Sequence, residues 1–279
     1  KTPPCVHLII KNKIKNVFFS INDPDKRSFN KCINKFKKRG IKTTSGVASP
    51  AINNFYKSYL KIKRNELPFV TCKIATSKDY FTVNKKKKWI TNKYSRARVH
   101  LMRANHDCLI TSSQTIIKDD PNLTCRINGL SKRSPTRVIL DNKLKIPVKS
   151  KIFGKKMNMN TIIFYNKVHP KKITALKKLK IRTFRIALNA DNDLDLKSVL
   201  INVKKLGFSR IFLESGIKLA TNFLKDDLVD DLKIFISNTI LGKNGSRSVR
   251  DNFMKFIKNK KFIKEKINLF GEKLISYKM

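Results

Sequence analysis

Seven short apolar runs recur between residues 69 and 238, near 69–75, 107–112, 136–141, 160–166, 183–189, 209–215 and 231–238. Segments of helical period separate several of them, at Asn92 to Ala104, Lys172 to Lys180, Leu194 to Leu206 and Gly216 to Lys225. Strands alternating with helices in this way favour an α/β fold with a mainly parallel sheet, because each parallel pairing needs a crossover that a helix supplies. The first part of the chain is shorter in pattern. Lys15 to Asn22, KNVFFSIN, reads as a strand, and Phe29, Cys32, Ile33 and Phe36 then recur at helical spacing until Gly40. Ser49 and Pro50 open a further helix with Ile52, Phe55, Tyr56 and Tyr59 on one face. The polar, proline-ended stretch from Ile62 to Pro68 marks a boundary, dividing residues 1–66 from residues 67–279.

Two segments place polar chemistry at strand ends. The run DCLITS leads into Thr111 to Arg126, TSSQTIIKDDPNLTCR, which presents hydroxyls, paired carboxylates, a proline and an arginine over a short span. Some ninety residues later FLESG, Phe212 to Gly216, puts the lone carboxylate of Glu214 at the end of an apolar strand, directly before a glycine and a helix. In an open α/β sheet that strand-end crevice is where ligands bind, so the pattern points to an enzyme. A carboxylate there is costly without a partner. Glu214 is therefore expected to share a pocket with Arg126, whose DDPNLT approach has no apolar periodicity. The helix after Gly216 offers free N–H groups and a positive dipole end, although an ordinary strand-to-helix turn has the same sequence. Trp89, the only tryptophan, fits either a ligand contact or core packing. Arg103 follows an amphipathic helix and fits either a binding role or a solvated helix terminus.

The net charge of +44 admits a second class of reading, a basic nucleic-acid-binding protein with salt-sensitive binding. Against it, the aromatic residues fall mostly in apolar periodic positions, and there is no stacking platform of the kind single-strand binders use. A lysine-coated, solvated surface accounts for the charge, and no nucleic acid is expected as a partner. Cys5, Cys32, Cys72, Cys108 and Cys125 form no CxxC pair, and Cys72 and Cys108 sit inside strand patterns as small core residues. With no apolar run of membrane-spanning length and no visible signal peptide, the expected setting is the reducing cytoplasm, with no membrane partner.

Several pieces occur in the order of a known family. They are PFVTCKIATSKD from Pro68, KKWIT from Lys87, HLMRANHDCLITSSQTIIKDDPNLTCR from His100, RVILDN from Arg137, LESG, and LVDDL from Leu228. The chain resembles the reductase domain of the bifunctional riboflavin-biosynthesis deaminase/reductase proteins, the RibD type. The resemblance implies a dihydrofolate-reductase-like fold, a second copy as partner in a homodimer, NADPH as cofactor, and reduction of the ribosyl group of 5-amino-6-(5-phosphoribosylamino)uracil at C1 to ribityl. It assigns the cofactor to Ala75, Trp89, Thr115, Asp119, Asn142 and the stretch Gly216, Ile217, Lys218, Leu219, Ala220, Thr221 and Asn222. It assigns the phosphorylated pyrimidine substrate to Lys87, Arg103, Leu123, Arg126 and Glu214. Arginine forks suit a phosphate ester, and no residue stands out as a general acid.

Residues 1–66 extend the resemblance to the family's zinc deaminase domain, through KTPPC ending at Cys5 and INDPD from Ile21. Cys5 takes a zinc-ligand position, but the further ligands and the proton-shuttling glutamate of a deaminase are missing. The expectation is a truncated remnant that neither holds zinc nor deaminates. The family commonly reads SLDG where this chain has SKDY, ending at Tyr80. It has a serine at the position of Lys87, and another at that of Asn142. The truncation, with Tyr80 and Lys87, leaves a catalytically dead remnant as an alternative; a related pterin or folate reductase is disfavoured, because the phosphate-binding arginines and the deaminase remnant belong to the riboflavin family.

Overall fold

The computed structural model describes residues 4–25, 30–47, 50–154 and 160–279. Lys1 to Pro3, Phe29 and Ser49, which entered the reading above, lie outside the described residues. The chain divides into two compact units, Lys1–Leu67 and Pro68–Met279, one residue after the expected boundary.

In the first unit, α1 (Cys5–Lys11), β1 (Asn16–Phe18), α2 (Lys31–Lys37), β2 (Lys42–Thr44) and α3 (Pro50–Lys63) follow in order. β1 and β2 pair in parallel. Val6, Phe36 and Ile41 form a small core with Ile9, Ile10 and Val17 against it. Gly40 closes α2 with φ +69°, a conformation that favours glycine. Asp23 accepts a hydrogen bond from the Tyr59 hydroxyl (2.9 Å), and Lys63 pairs with Asp25 (2.6 Å).

The second unit continues with β3 (Phe69–Thr76), β4 (Phe81–Asn84), α4 (Lys93–Ala104), β5 (Cys108–Ser112), α5 (Ser113–Asp119), β6 (Thr136–Leu140), β7 (Thr161–Tyr165), α6 (Pro170–Lys178), β8 (Arg182–Arg185), α7 (Leu196–Lys205) and β9 (Arg210–Glu214). It ends with α8 (Ile217–Lys225), β10 (Asp231–Ile236), β11 (Gly245–Ser248), α9 (Arg250–Phe253), β12 (Phe262–Lys264) and β13 (Lys273–Lys278). The seven expected strands form the parallel body of a nine-stranded sheet of order β12-β13-β10-β3-β9-β5-β6-β7-β8. Only the β12–β13 hairpin at one edge runs antiparallel. Its central strands are apolar on both faces, as a sheet covered by helices requires: Val70, Cys72, Cys108, Leu109, Ile110, Val138, Ile139, Ile211, Phe212 and Leu213 are all inaccessible to solvent. The expected helices appear within a few residues of their predicted ends, and all five cysteines are free thiols. No described helix is long and apolar enough to cross a membrane.

From β5 to β8 the sheet grows in one direction, after which β9 returns to the other side of β5 and pairs between it and β3. Where the winding reverses, the crossover connections diverge and leave a crevice at the carboxyl ends of the strands. A separate two-stranded ribbon, β4 antiparallel to β11, stands apart from the main sheet. The turn into β4 contains Tyr80 at φ +71°. The aromatic residue thus occupies the left-handed conformation that a glycine adopts without strain, and its ring lies 5.2 Å from the Arg250 guanidinium. Asp79 fixes the same turn. It accepts from Ser77 Oγ (2.6 Å) and from the backbone N–H groups of Leu241 (3.0 Å) and Gly242 (2.8 Å). Burial alone would raise its pKa, but these donors hold it down to about 2.

Candidate active site

The crevice opens into a cleft of about 980 Å³, within the range that a dinucleotide and a small substrate require. Each wall follows from a local sequence cause. α4 begins at Asn92, whose side-chain oxygen accepts from the N–H groups of Tyr94 (3.0 Å) and Ser95 (2.9 Å). With that start fixed, Arg96, His100 and Arg103, spaced four and three apart, fall on one face and line the cleft. The floor comes from strand ends: Lys73 and Ala75 on β3, Ser112 at the end of β5, Asn142 after β6, and Glu214 on β9.

Glu214 holds Arg103 bidentately. Nε and Nη2 of Arg103 each donate to one carboxylate oxygen at 2.8 Å, with side-chain exposures of only 10% and 17%. Arg103 also donates from Nη1 to the Thr124 carbonyl (2.9 Å). Burial opposes both charges, yet each offsets the other's penalty: Arg103 is raised above the usual guanidinium range, and Glu214 lies below the usual carboxylate range. The solvated-surface reading of Arg103 is therefore wrong, since the residue is buried. Glu214 does share a cleft with Arg126, as expected, but its partner is Arg103, brought to it by the turn of α4 rather than by the DDPNLT segment.

Lys73 is the residue that the sequence reading missed. The register of β3 on β9 sets it directly beside Glu214. Its ammonium has no hydrogen-bond partner among the described residues and lies 5.9 Å from the Phe235 ring centroid. Burial lowers its pKa, the nearby Arg103 charge lowers it further, and Glu214 works the other way. Lys73, Arg103 and Glu214 together leave one positive charge in excess in a poorly hydrated corner, a setting that favours an anionic or carbonyl-bearing ligand.

His100 joins the same wall. Its Nδ1 lies 2.9 Å from the Thr124 carbonyl and 3.3 Å from the Arg126 backbone N–H. Arg103 Nη1 also approaches it at 3.5 Å, so a carbonyl and two N–H donors compete for this one nitrogen. Burial and the charges of Arg103 and Arg126 depress its pKa, so the ring is neutral near pH 7. Beside it, Leu123 is buried at φ +52°. A branched side chain in that conformation is strained by about 1–2 kcal/mol, and such strain gathers where a site requires a particular direction.

Trp89, Thr115, Asp119, Asn142, Gly216, Ile217, Lys218, Leu219 and Asn222 line the same cleft. Trp89 is 55% exposed, so the core-packing alternative fails. Its indole is flanked by Lys88 (5.4 Å) and Arg96 (5.1 Å). Asn142 donates from Nδ2 to the Asn192 carbonyl (3.0 Å), while its buried Oδ1 has no partner. α8 has Gly216 as its N-cap with no side chain closing it, so its first N–H groups face the cleft uncapped. An orphaned acceptor, an uncapped helix start and an exposed indole form a donor and stacking set that fits a dinucleotide cofactor.

Three expected contacts do not line the cleft. Ala220 is fully buried against the sheet, and Thr221 follows it around α8, whereas Lys218, Leu219 and Asn222 recur on the open face. Lys87 is exposed in the turn after β4, with its backbone N–H on Asn84 Oδ1 (3.2 Å). The neighbouring Lys88 takes the position on the wall. Cys5 is exposed at the start of α1, and among the described residues no group of three His, Cys, Asp or Glu is arranged to hold a metal ion.

The comparisons with known proteins place this architecture. A curated relative, riboflavin biosynthesis protein RibD of Aquifex aeolicus, is 29% identical over 99% of this chain and 76% of its own length. The solved deaminase/5-amino-6-(5-phosphoribosylamino)uracil reductase of Thermotoga maritima superposes with a TM-score of 0.80 at 27% identity, over 99% of this chain and 75% of that one. Acinetobacter baumannii RibD shares the fold, with a TM-score of 0.82 at 24% identity over 99% of this chain and 76% of that one. The family model described as the RibD C-terminal domain matches residues 68–275, from the start of β3 into β13, and so takes in every wall of the cleft. The chain belongs to the RibD C-terminal domain family, and its second unit is a reductase domain of riboflavin biosynthesis.

Proposed function

We propose that the cleft binds NADPH and 5-amino-6-(5-phosphoribosylamino)uracil together and reduces the ribosyl C1 to give the ribitylamino product. The observation that carries this is that one cleft is lined by residues of two chemistries. The α8 start, Trp89, Thr115, Asp119, Asn142 and Ala75 make a wall suited to a dinucleotide, while Arg103, Glu214, Leu123 and Arg126, with Lys73, make a corner suited to a phosphorylated pyrimidine. When bound, the nicotinamide supplies the hydride. The residues of this chain then have to orient rather than react. Glu214 and Arg103 lock one another, Lys73 offers its ammonium to a pyrimidine carbonyl or a phosphate oxygen, and Arg126 is free to meet the phosphate ester. Neutral His100 stands on the cleft wall beside this corner. Holding both reactants in contact supplies most of what a hydride transfer needs from a protein.

The first unit, on this proposal, corresponds to part of a zinc deaminase domain. Its support is that the relatives above match over 99% of this chain, and so through residues 1–67 as well.

Titration followed by Trp89 fluorescence tests the cofactor assignment, because the indole is exposed on the cleft wall. NADPH is expected to perturb the emission saturably and to bind more tightly than NADH, given the cations around the cleft. Equal affinity for the two, or no binding of either, would contradict the proposal.

A further inference from the structure

Arg247 lies outside the expected cofactor and substrate residues and outside the parallel sheet, yet it lines the cleft. It sits on β11, in the ribbon with β4, which is held by register pairs Gly245 with Asn84, Ser246 with Val83 and Ser248 with Phe81. Gly245 is required there: a Cβ would stand 2.3 Å from the Phe81 ring. Arg247 itself adopts φ +58°, and its carbonyl accepts from the Thr82 hydroxyl at 2.9 Å. The ribbon thus spends backbone strain on this one position, and the outcome is the direction of its side chain. Arg247 Nη1 comes within 3.9 Å of the point where a Cβ on Gly216 would lie, directly over the start of α8. No ion-pair partner for it occurs among the described residues. A guanidinium with no carboxylate partner, held over an uncapped helix start, sets two kinds of anion donor facing one space: the fork of an arginine and the first N–H groups of α8.

We infer that Arg247 closes the cofactor site by binding the diphosphate bridge of the dinucleotide against the start of α8. The inference rests on the NADPH reading above and assigns it a residue from a separate ribbon. The diphosphate is the group that needs both donors. It carries charge on two adjacent phosphates, more than one turn of N–H groups neutralises, whereas the substrate corner already has Arg103, Lys73 and Arg126.

Calorimetric titration of the intact chain with NADPH and with NADH tests this, using Arg247→Met and Arg247→Lys. Because Arg247 is exposed, Arg247→Met should fold as the parent does. It should raise the Kd of both nucleotides by about tenfold to a hundredfold, the range for losing one charge-assisted contact. Arg247→Lys should recover part of that, and the KM for the pyrimidine at saturating NADPH should stay near the parent value. Loss confined to NADPH would assign the arginine to the 2′-phosphate and overturn the inference. A raised substrate KM with unchanged nucleotide binding would overturn it too, as would unchanged Kd values in a variant of a parent that binds NADPH. A parent that binds neither nucleotide would refute the cofactor reading itself.

Discussion

Arg103→Met is expected to destabilise the second unit by about 3 kcal/mol, the low end of the range for removing one partner of a buried ion pair, because the cleft admits some water. The cause is the carboxylate left behind. Glu214 loses both hydrogen bonds from Arg103 and most of the charge that holds it ionised. The sign of the pH dependence follows. In the parent, the depressed pKa of Glu214 contributes stability above its unfolded value, and that contribution is lost as pH falls through the folded value. In the variant only Lys73 and His100 still favour the charge against burial, so ionised Glu214 contributes less at neutral pH, and that difference disappears on protonation. The stability deficit between variant and parent should shrink as pH falls towards about 4. Urea unfolding of both proteins across that range measures it. A double variant, Arg103→Met with Glu214→Leu, should regain part of the stability and none of the turnover, since apolar replacement of a buried pair is often neutral but here removes the charge beside Lys73. An Arg103→Met protein as stable as the parent at every pH would show that the pair contributes nothing.

Arg126→Ala is expected to behave in the opposite way, with turnover lost and stability kept. Its side chain is exposed on the cleft wall and makes no ion pair among the described residues, so its removal leaves no buried charge. If it meets the substrate phosphate, kcat/KM should fall about tenfold to a hundredfold, or about 1.5–3 kcal/mol, while the Kd for NADPH is unchanged. The difference between parent and variant should narrow at high salt, because the lost interaction is between exposed charges. Steady-state kinetics at two ionic strengths, with NADPH binding measured separately, decide the matter. Unaltered kinetics, or an equal loss of NADPH affinity, would remove Arg126 from the substrate corner.

The parts of the fold that were legible in the sequence are those with strong local signals. Most of the seven parallel strands are short runs dominated by apolar residues, and α4, α7 and α8 carry helical period across at least two turns. Glu214 was legible because a carboxylate ending an apolar strand contradicts its surroundings. The ribbon of β4 and β11 was not, since FTVN and GSRS are short, mixed in polarity and paired only through contacts some 160 residues apart, as between Phe81 and Ser248. The β12–β13 hairpin lacked a turn signal of recognisable type. Lys73 was overlooked because a single lysine in TCKIAT reads as the solvent face of a strand. Its meaning depends on Glu214 arriving next to it from β9, a fact of register rather than of local sequence. Arg103 was assigned to the site by resemblance, but its bidentate partner, 111 residues away, needed the fold. Ala220 and Thr221 were included because a stretch was carried over whole, where the turn of α8 admits only some of its side chains to the cleft.

The central claim is that one cleft carries hydride from a nicotinamide to the ribosyl C1 of the pyrimidine. The most direct measurement uses NADPH bearing deuterium at the transferable position of its nicotinamide ring, with 5-amino-6-(5-phosphoribosylamino)uracil as substrate and product analysis by nuclear magnetic resonance. One deuterium per product, located at C1 of the ribityl chain and formed only when both ligands are present, is the predicted result. A folded protein that oxidises no NADPH in the presence of this substrate, or that gives product without deuterium at C1, would contradict the account.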